Sequence, residues 1–170
     1  SLLLLPILVN NINDEVSLFR ENPIYNNWNK NIKKYYLLNY LLPTEDIEDA
    51  QIVKKNISAV EEFKFNEIIK KYDLDNYAIL IIYQNNKEVN VLSRLRLNKI
   101  YKIFNTKYAD IDINKEESIS KLIINLKTVY EDEWKKLNLI NTSIKLPITI
   151  NLASKNYAKI QLFENLIESL

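Results

Sequence analysis

The chain has 170 residues, 47% of them hydrophobic, with 23 basic and 22 acidic side chains for a net charge of +1, and it contains no glycine, histidine, cysteine or methionine. That length suits one domain, or one domain and part of another, with a sizeable core, and the near-neutral balance supplies no global field toward nucleic acid or an anionic membrane. The missing residue types exclude disulfides, thiolate zinc sites, histidine-ligated haem and Ser-His-Asp or Cys-His catalysis; without glycine, neither the P-loop nor the G-x-G-x-x-G loop has its usual backbone against phosphate.

Starting without methionine, the chain reads as a processed or trimmed segment. Leu2 to Val9 is too short to span a bilayer, which takes about 20 apolar residues, and lacks the basic flank of a signal peptide. It reads as a first strand, in which Pro6 implies a sheet edge or a bulge. After a short extended stretch, Val16 to Phe19, Asn22-Pro23 offers an N-cap followed by proline at the first helical position, with Ile24, Trp28, Ile32 and Tyr35 on one helical face. Tyr36 to Leu42 reads as a second strand ending at Pro43, and Thr44 as the cap of a short helix through Lys55.

Ser58 and Glu61 form a capping box for a helix whose Val60, Phe65, Ile68, Ile69 and Tyr72 share one side. Tyr77 to Tyr83 has no polar face, so as a strand it must be covered on both sides and lie centrally. Asn85-Asn86-Lys87 reads as a hairpin loop. In the return strand Val89, Val91, Leu95 and Leu97 alternate against Glu88, Asn90, Arg94 and Arg96, one face buried and one wet. Ile100 to Phe104 adds a third meander strand. Asn114 and Glu117 then cap a long helix striped by Ile119, Leu122, Ile123, Leu126, Tyr130, Trp134 and Leu137.

Beyond a joint at 138–142, Ser143 to Leu152 alternates as a strand around Pro147. A helix from Ser154 follows, with Tyr157, Ile160, Phe163 and Ile167 on one side. In place of glycine, Asn10-Asn11, Asn26-Asn27, Asn85-Asn86 and Asn138 or Asn141 are expected at the tight turns, because asparagine tolerates positive φ. The expected architecture is α/β of the mixed α+β kind over residues 1–138: a central mixed sheet with a hairpin meander, covered by amphipathic helices. Residues 143–170 would begin a truncated second βα(β) unit, whose apolar helix face must lie on the first domain or on another copy, a route to a homo-oligomer.

Five stretches carry a family resemblance: Leu5-Pro6-Ile7-Leu8; Asn22-Pro23 with Trp28; Pro43 through Asp46 to Asp49; Lys71-Tyr72 before the buried strand; and Leu146-Pro147-Ile148. In order and spacing the chain resembles the uncharacterised proteobacterial family known as domain of unknown function 2066, with Thr44 and Asp73 standing where glycine is expected. The resemblance implies an envelope-directed, periplasmic protein with an α/β layer similar to the small N-terminal modules of periplasmic assembly proteins, such as the β-propeller protein of the Tol system. It carries over no catalytic residue.

Three groups of residues invite a chemical reading. Asp110-Ile-Asp112-Ile-Asn114 matches the first half of a calcium loop, but Lys115 stands at the sharp-turn position and Lys121 at the place of the bidentate glutamate, so Ile111 and Ile113 read instead as a strand end leading into the long helix. Glu45, Asp46, Glu48 and Asp49 could pair carboxylates for a hydrolase or transferase, yet a helix N-terminus accounts for negative charge there. Arg94 and Arg96, two of the three arginines, share one strand face, with Lys99 and Lys102 soon after. Guanidinium groups suit carboxylate or phosphate. These four residues are the expected binding site, for a protein or an anionic envelope component, in a non-enzymatic binding or assembly module. No cofactor, metal, nucleic acid or transmembrane segment is expected; Glu45 to Asp49 carry the enzymatic alternative, and a cytoplasmic location is the alternative to the periplasm.

Overall fold

The structure, a computed structural model, describes residues 1–10, 15–30, 36–85, 88–139, 160–163 and 165. The chain divides into two compact units, Ser1–Leu139 and Ile140–Leu170. In the second, residues 160–163 and 165 are helical; the strand expected at 143–152, the rest of the last helix and an oligomer contact built on them fall outside the described residues.

The first unit is a mixed α+β fold on one six-stranded sheet. At its centre β1 (Leu2–Asn10) and β4 (Tyr77–Asn85) run parallel, in register from Leu3 opposite Tyr77 to Asn10 opposite Gln84. The other edge of β1 is shared by β3 (Tyr40–Leu41), parallel along residues 2 and 3, and β2 (Glu15–Ser17), antiparallel along residues 8 to 10. From β4 the sheet continues through β5 (Glu88–Leu97) and β6 (Ile100–Ala109) as an antiparallel meander. The second strand expected from Tyr36 to Leu42 is thus cut to two residues, with Leu2 N–H donating to the Asn39 carbonyl at 2.8 Å just before it.

Between β3 and β2 the edge of β1 is open, and Pro6 sits in that gap. Asn22 Nδ2 donates to the Pro6 carbonyl at 3.1 Å, while its Oδ1 caps α1 (Pro23–Asn27) through the N–H groups of Ile24 at 2.9 Å and Tyr25 at 3.4 Å. A residue in a strand points its N–H and C=O to the same side, so the donor that Pro6 lacks faces Asn22, and the ladder to β4 loses nothing. One buried asparagine therefore caps a helix and patches the sheet, stabilising by about 1 kcal/mol per bond of this kind.

Both faces of the β1–β4 pair are covered. On one side Leu2, Leu4, Leu8, Ala78, Leu80 and Ile82, extended by Val89, Val91, Leu95 and Leu97 of β5, meet Ile24, Trp28 and the Ile119, Leu122, Ile123, Leu126 and Tyr130 stripe of α4 (Glu116–Leu137). On the other, Leu3, Leu5, Ile7, Val9, Tyr77, Ile79 and Ile81 meet Val53 of α2 (Ile47–Lys55), Val60 and Phe65 of the segment that follows it, and Ile68 of α3 (Asn66–Lys70). Each fully buried aliphatic side chain here contributes about 1.5–3 kcal/mol over exposure. Because β4 is apolar on both faces, its own sequence does not choose which side faces α4; the alternation in β5 does, since a one-residue slip would bury Arg94 and Arg96 under α4. Ser93 is the polar exception on that buried face, and its hydroxyl bonds the buried Tyr130 hydroxyl at 2.7 Å.

Several local expectations change. No continuous helix starts at Ser58: a 3-10 turn, Ile57–Ala59, is followed by turns and by the five-residue α3, which has no side-chain cap. In these turns the carbonyls of Glu61 and Phe63 both accept from Arg94 Nη1, at 3.2 and 2.6 Å. The apolar positions survive the break, because Val60, Phe65 and Ile68 remain buried. Asp46 rather than Thr44 caps α2, and Lys115 rather than Asn114 precedes α4.

Positive φ falls at Phe19, Asp73, Asn98, Lys99 and Asp110, and not at the described members of the expected asparagine turns, Asn10, Asn26, Asn27, Asn85 and Asn138. Asn98 and Lys99, at φ 48° and 68°, form the two-residue β5–β6 turn, where two successive positive φ values match the twist of the strands. Asn76 Oδ1 supports that turn by accepting from Asn98 N–H at 2.9 Å. Asp73, where the family resemblance expects glycine, has φ 48°.

Candidate binding face

Alternation along β5 sends Asn90, Leu92, Arg94 and Arg96 to the face opposite α4, and the register places Lys107, Asn105, Ile103 and Tyr101 of β6 beside them in that order. The α2–α3 layer covers this side of β1 and β4 but stops short of β6, leaving Ile103 67% and Tyr101 55% exposed. Between α3 and β6 run two adjoining grooves, of about 350 and 410 Å³, that share Asn66, Ile69, Tyr77 and Tyr101; Arg94 lines the first and Arg96 the second.

The two arginines are used differently. Arg94 is turned inward: besides its two carbonyl bonds, its guanidinium carbon lies 5.8 Å from the centroid of the Phe65 ring, and burial lowers its pKa. It remains a cation at any ordinary pH. It organises the 61–63 turn and is half-buried, so the expected wet face is wet at neither its base nor this position. Arg96 sits beside a tyrosine pair, its guanidinium carbon 5.8 Å from the centroids of both Tyr77 and Tyr101. Those rings meet edge to face at 5.9 Å. The Nε of Arg96 is buried with no acceptor, and among the described residues Arg96 forms no ion pair, whereas Arg20 pairs with Glu45 at 3.0 Å.

The other two cations of the expected site lie elsewhere. Lys99 is exposed in the β5–β6 turn. Lys102 is opposite Leu95 on the α4 face and pairs with Glu133, which also holds Lys136 at 2.7 Å. The Lys102 and Lys136 ammonium groups keep the Glu133 carboxyl below its ordinary range. Strand periodicity puts residues 96 and 102 on opposite faces across a two-residue turn, so nearness in sequence did not mean a shared surface.

Glu45, Asp46, Glu48 and Asp49 serve the start of α2. Asp46 Oδ1 accepts from the N–H groups of Glu48 at 2.8 Å and Asp49 at 3.3 Å, and Lys71 Nζ bridges Asp46 and Asp49, each at 2.7 Å. Tyr72 OH accepts from Thr44 N–H at 2.9 Å, and Tyr25 OH donates to the Pro43 carbonyl at 2.6 Å. The stretches Pro43 to Asp49 and Lys71-Tyr72, distant in sequence, are thus one contact. Their electrostatics run against acid-base catalysis: the Lys71 bond lowers the pKa of Asp46, and Asp46 and Asp49 raise that of Lys71. A general acid needs a raised carboxyl pKa and a nucleophilic lysine a lowered one.

Asp112 is also occupied, accepting from Asn114 N–H at 3.0 Å and lying 3.8 Å from Lys115 Nζ, while Ile111 and Ile113 are buried. Among the described residues no three acidic side chains gather in a way that could hold a metal ion, and no helix is long and apolar enough to cross a membrane. What sequence reading missed is the tyrosine pair around Arg96 and the acceptor role of the 61–63 turn; the only advance signal was an aromatic at Tyr77 and at Tyr101, either side of the hairpin that carries the arginine. No family model, no curated protein and no solved structure matches this chain.

Proposed function

We propose that the chain is a non-enzymatic binding or assembly module of the cell envelope, holding an anionic partner at the Arg96 face of β5 and β6. The observation that carries this reading is the Arg96 guanidinium, which sits beside the Tyr77–Tyr101 pair without an ion pair among the described residues, in a groove of about 410 Å³ that Lys70, Asp73 and Asp75 also line. The two rings at 5.8 Å restrict where the guanidinium can lie, and its forked donors suit a carboxylate or phosphate. The envelope assignment rests on the five sequence stretches, of which Pro43 to Asp49 and Lys71-Tyr72 meet in space.

The test is retention on immobilised poly-L-glutamate at stepped salt, comparing wild type with Arg96→Glu. Arg20→Glu makes the same charge change at a side chain 84% exposed and serves as the control. Arg96→Glu should elute at distinctly lower salt than Arg20→Glu, since exposed pairs are screened within about 10 Å at 0.1 M. Equal elution of the two variants would end the reading. Arg94 is left untouched because its loss would disturb the 61–63 turn.

A further inference from the structure

Among the described residues β6 pairs with β5 alone, so its outer edge presents unpaired backbone donors and acceptors along ten residues. Long open edges of this kind are usually blunted by proline, bulges, lysines or inward charge, and of these β6 has Lys102, turned inward to Glu133, and Lys107. Here the strand reads Ile100-Tyr-Lys-Ile-Phe-Asn-Thr-Lys-Tyr-Ala109, without proline, and its alternate positions Tyr101 and Ile103 are the exposed large hydrophobics beside the groove. The strand also contains no carboxylate. Lys102 is neutralised by Glu133, but Lys107, Lys99 of the turn and Arg96 have no ion pair among the described residues. Among the described residues the edge is therefore open and its own side chains are cationic, while Asp73 and Asp75 line the groove beside it.

Resting on the anionic reading above, we infer that the partner is an extended acidic polypeptide segment that adds to β6 as a further strand. Main-chain bonds to the β6 edge supply affinity, and every second side chain falls on the groove face. There aliphatic groups cover Ile103 and Tyr101, and a carboxylate reaches the guanidinium of Arg96 over the Tyr101 ring. A second copy of this chain is the poorer occupant. Edge-to-edge pairing of two β6 strands would bring the Lys99, Lys107 and Arg96 cations of both copies to one seam, and like charges across paired strands oppose association.

The probe is a ten-residue peptide alternating glutamate and valine, with two isomers carrying N-methyl groups on alternate residues, one for each edge. Binding to the full chain is followed by fluorescence anisotropy. The isomer methylated on the edge that meets β6 should bind about tenfold weaker or worse, having lost its main-chain donors, while the other binds like the parent. Isomers that both bind like the parent, or both fail, overturn strand addition, as does a parent peptide that does not bind. Arg96→Glu separates the two ideas: edge-dependent binding that this variant leaves unchanged keeps the added strand and removes the anionic site, whereas retention on poly-L-glutamate without edge dependence does the reverse. A concentration-dependent dimer in sedimentation, abolished by Ile103→Lys, would assign the edge to a second copy and overturn the inference.

Discussion

β1 and β4 carry helices on both faces, while among the described residues the side of β5 away from α4 is half-covered and that of β6 is open, and the two halves of the sheet spend their residues accordingly. Leu2 to Val9 and Tyr77 to Ile82 are buried along their whole length, and they offer a partner nothing. In β5 the alternate positions are buried under α4 and the rest are only half-covered; in β6 the same side is open. Arg94 and Arg96 mark the boundary between the halves. Two residues apart on one face, the first commits its Nη1 to two carbonyls near α3, and the second lies toward the uncovered end with its buried Nε lacking an acceptor. Stability is concentrated where two helical layers meet the sheet, and the capacity to bind begins where one of them stops.

The sharpest way to break this contrast is to place the same charge in each half. Leu80→Asp should unfold the domain, at a cost of more than about 4 kcal/mol, because the carboxylate would lie unpaired in a strand covered on both faces. Ile103→Asp, on the open face of β6, should change stability by no more than about 0.5 kcal/mol. Urea denaturation followed by circular dichroism measures both, and similar losses would mean that the β6 face is covered after all.

Next in size is Arg94→Met, which keeps the apolar stem and removes the donor. The carbonyls of Glu61 and Phe63 then lose a charged partner, and a loss of about 1.5–3 kcal/mol is expected. Arg96→Met should cost less than about 1 kcal/mol, since only ring contacts are lost. Equal losses would erase the distinction drawn between the two arginines.

A smaller effect should appear in the pH dependence. The carboxyl of Glu133 titrates below its ordinary value of 4.5 because Lys102 and Lys136 hold it ionised. A depressed folded pKa gives stability that is present above the unfolded value and disappears as pH falls through the folded one. Glu133→Gln should therefore be less stable than wild type at pH 7, with the gap closing as the solution is acidified below 4.5. Lys136 has the opposite sign. Its pKa is raised by Glu133, so its contribution is complete below 10.5 and fades only at higher pH. Urea midpoints across the pH range test both limbs, and a gap that widens in acid would reverse the argument.

The smallest expected change is a gain. Lys99 holds φ 68° in the β5–β6 turn, a region that costs a residue with a Cβ about 1–2 kcal/mol, part of which glycine recovers after its own entropy loss. Lys99→Gly should stabilise by about 0.5–1 kcal/mol. It should also weaken retention on poly-L-glutamate less than Arg96→Glu does, because Lys99 lies beyond the tyrosine pair.

Much of the fold was legible because it rests on patterns that act over short stretches. The double-sided apolarity of Tyr77 to Tyr83 requires a central strand, Asn22-Pro23 forms the cap it advertises, and the α4 stripe buries Ile119, Leu122, Ile123, Leu126 and Tyr130. The pairing of Arg94 with Arg96 on one face was equally legible, from strand alternation alone. By contrast, where a helix is expected from Ser58 the structure has turns whose carbonyls bond a side chain 31 to 33 residues away, a tertiary contact that the local capping pattern does not encode. The positions of positive φ were no more legible: asparagine tolerates it, but among the described residues it falls on Phe19, Asp73, Asn98, Lys99 and Asp110, of which Asn98 and Lys99 are set by the register of β5 and β6.

By itself, then, the sequence determined the chemistry that is impossible here and the strands and stripes that must be buried, since both follow from residue types and their periods. Only the tertiary structure decided which cations are spent and which remain. Arg94, Arg96, Lys99 and Lys102 are near neighbours in the chain with the same charge, and what separates them is the burial, the carbonyls and the carboxylate that distant segments bring to each.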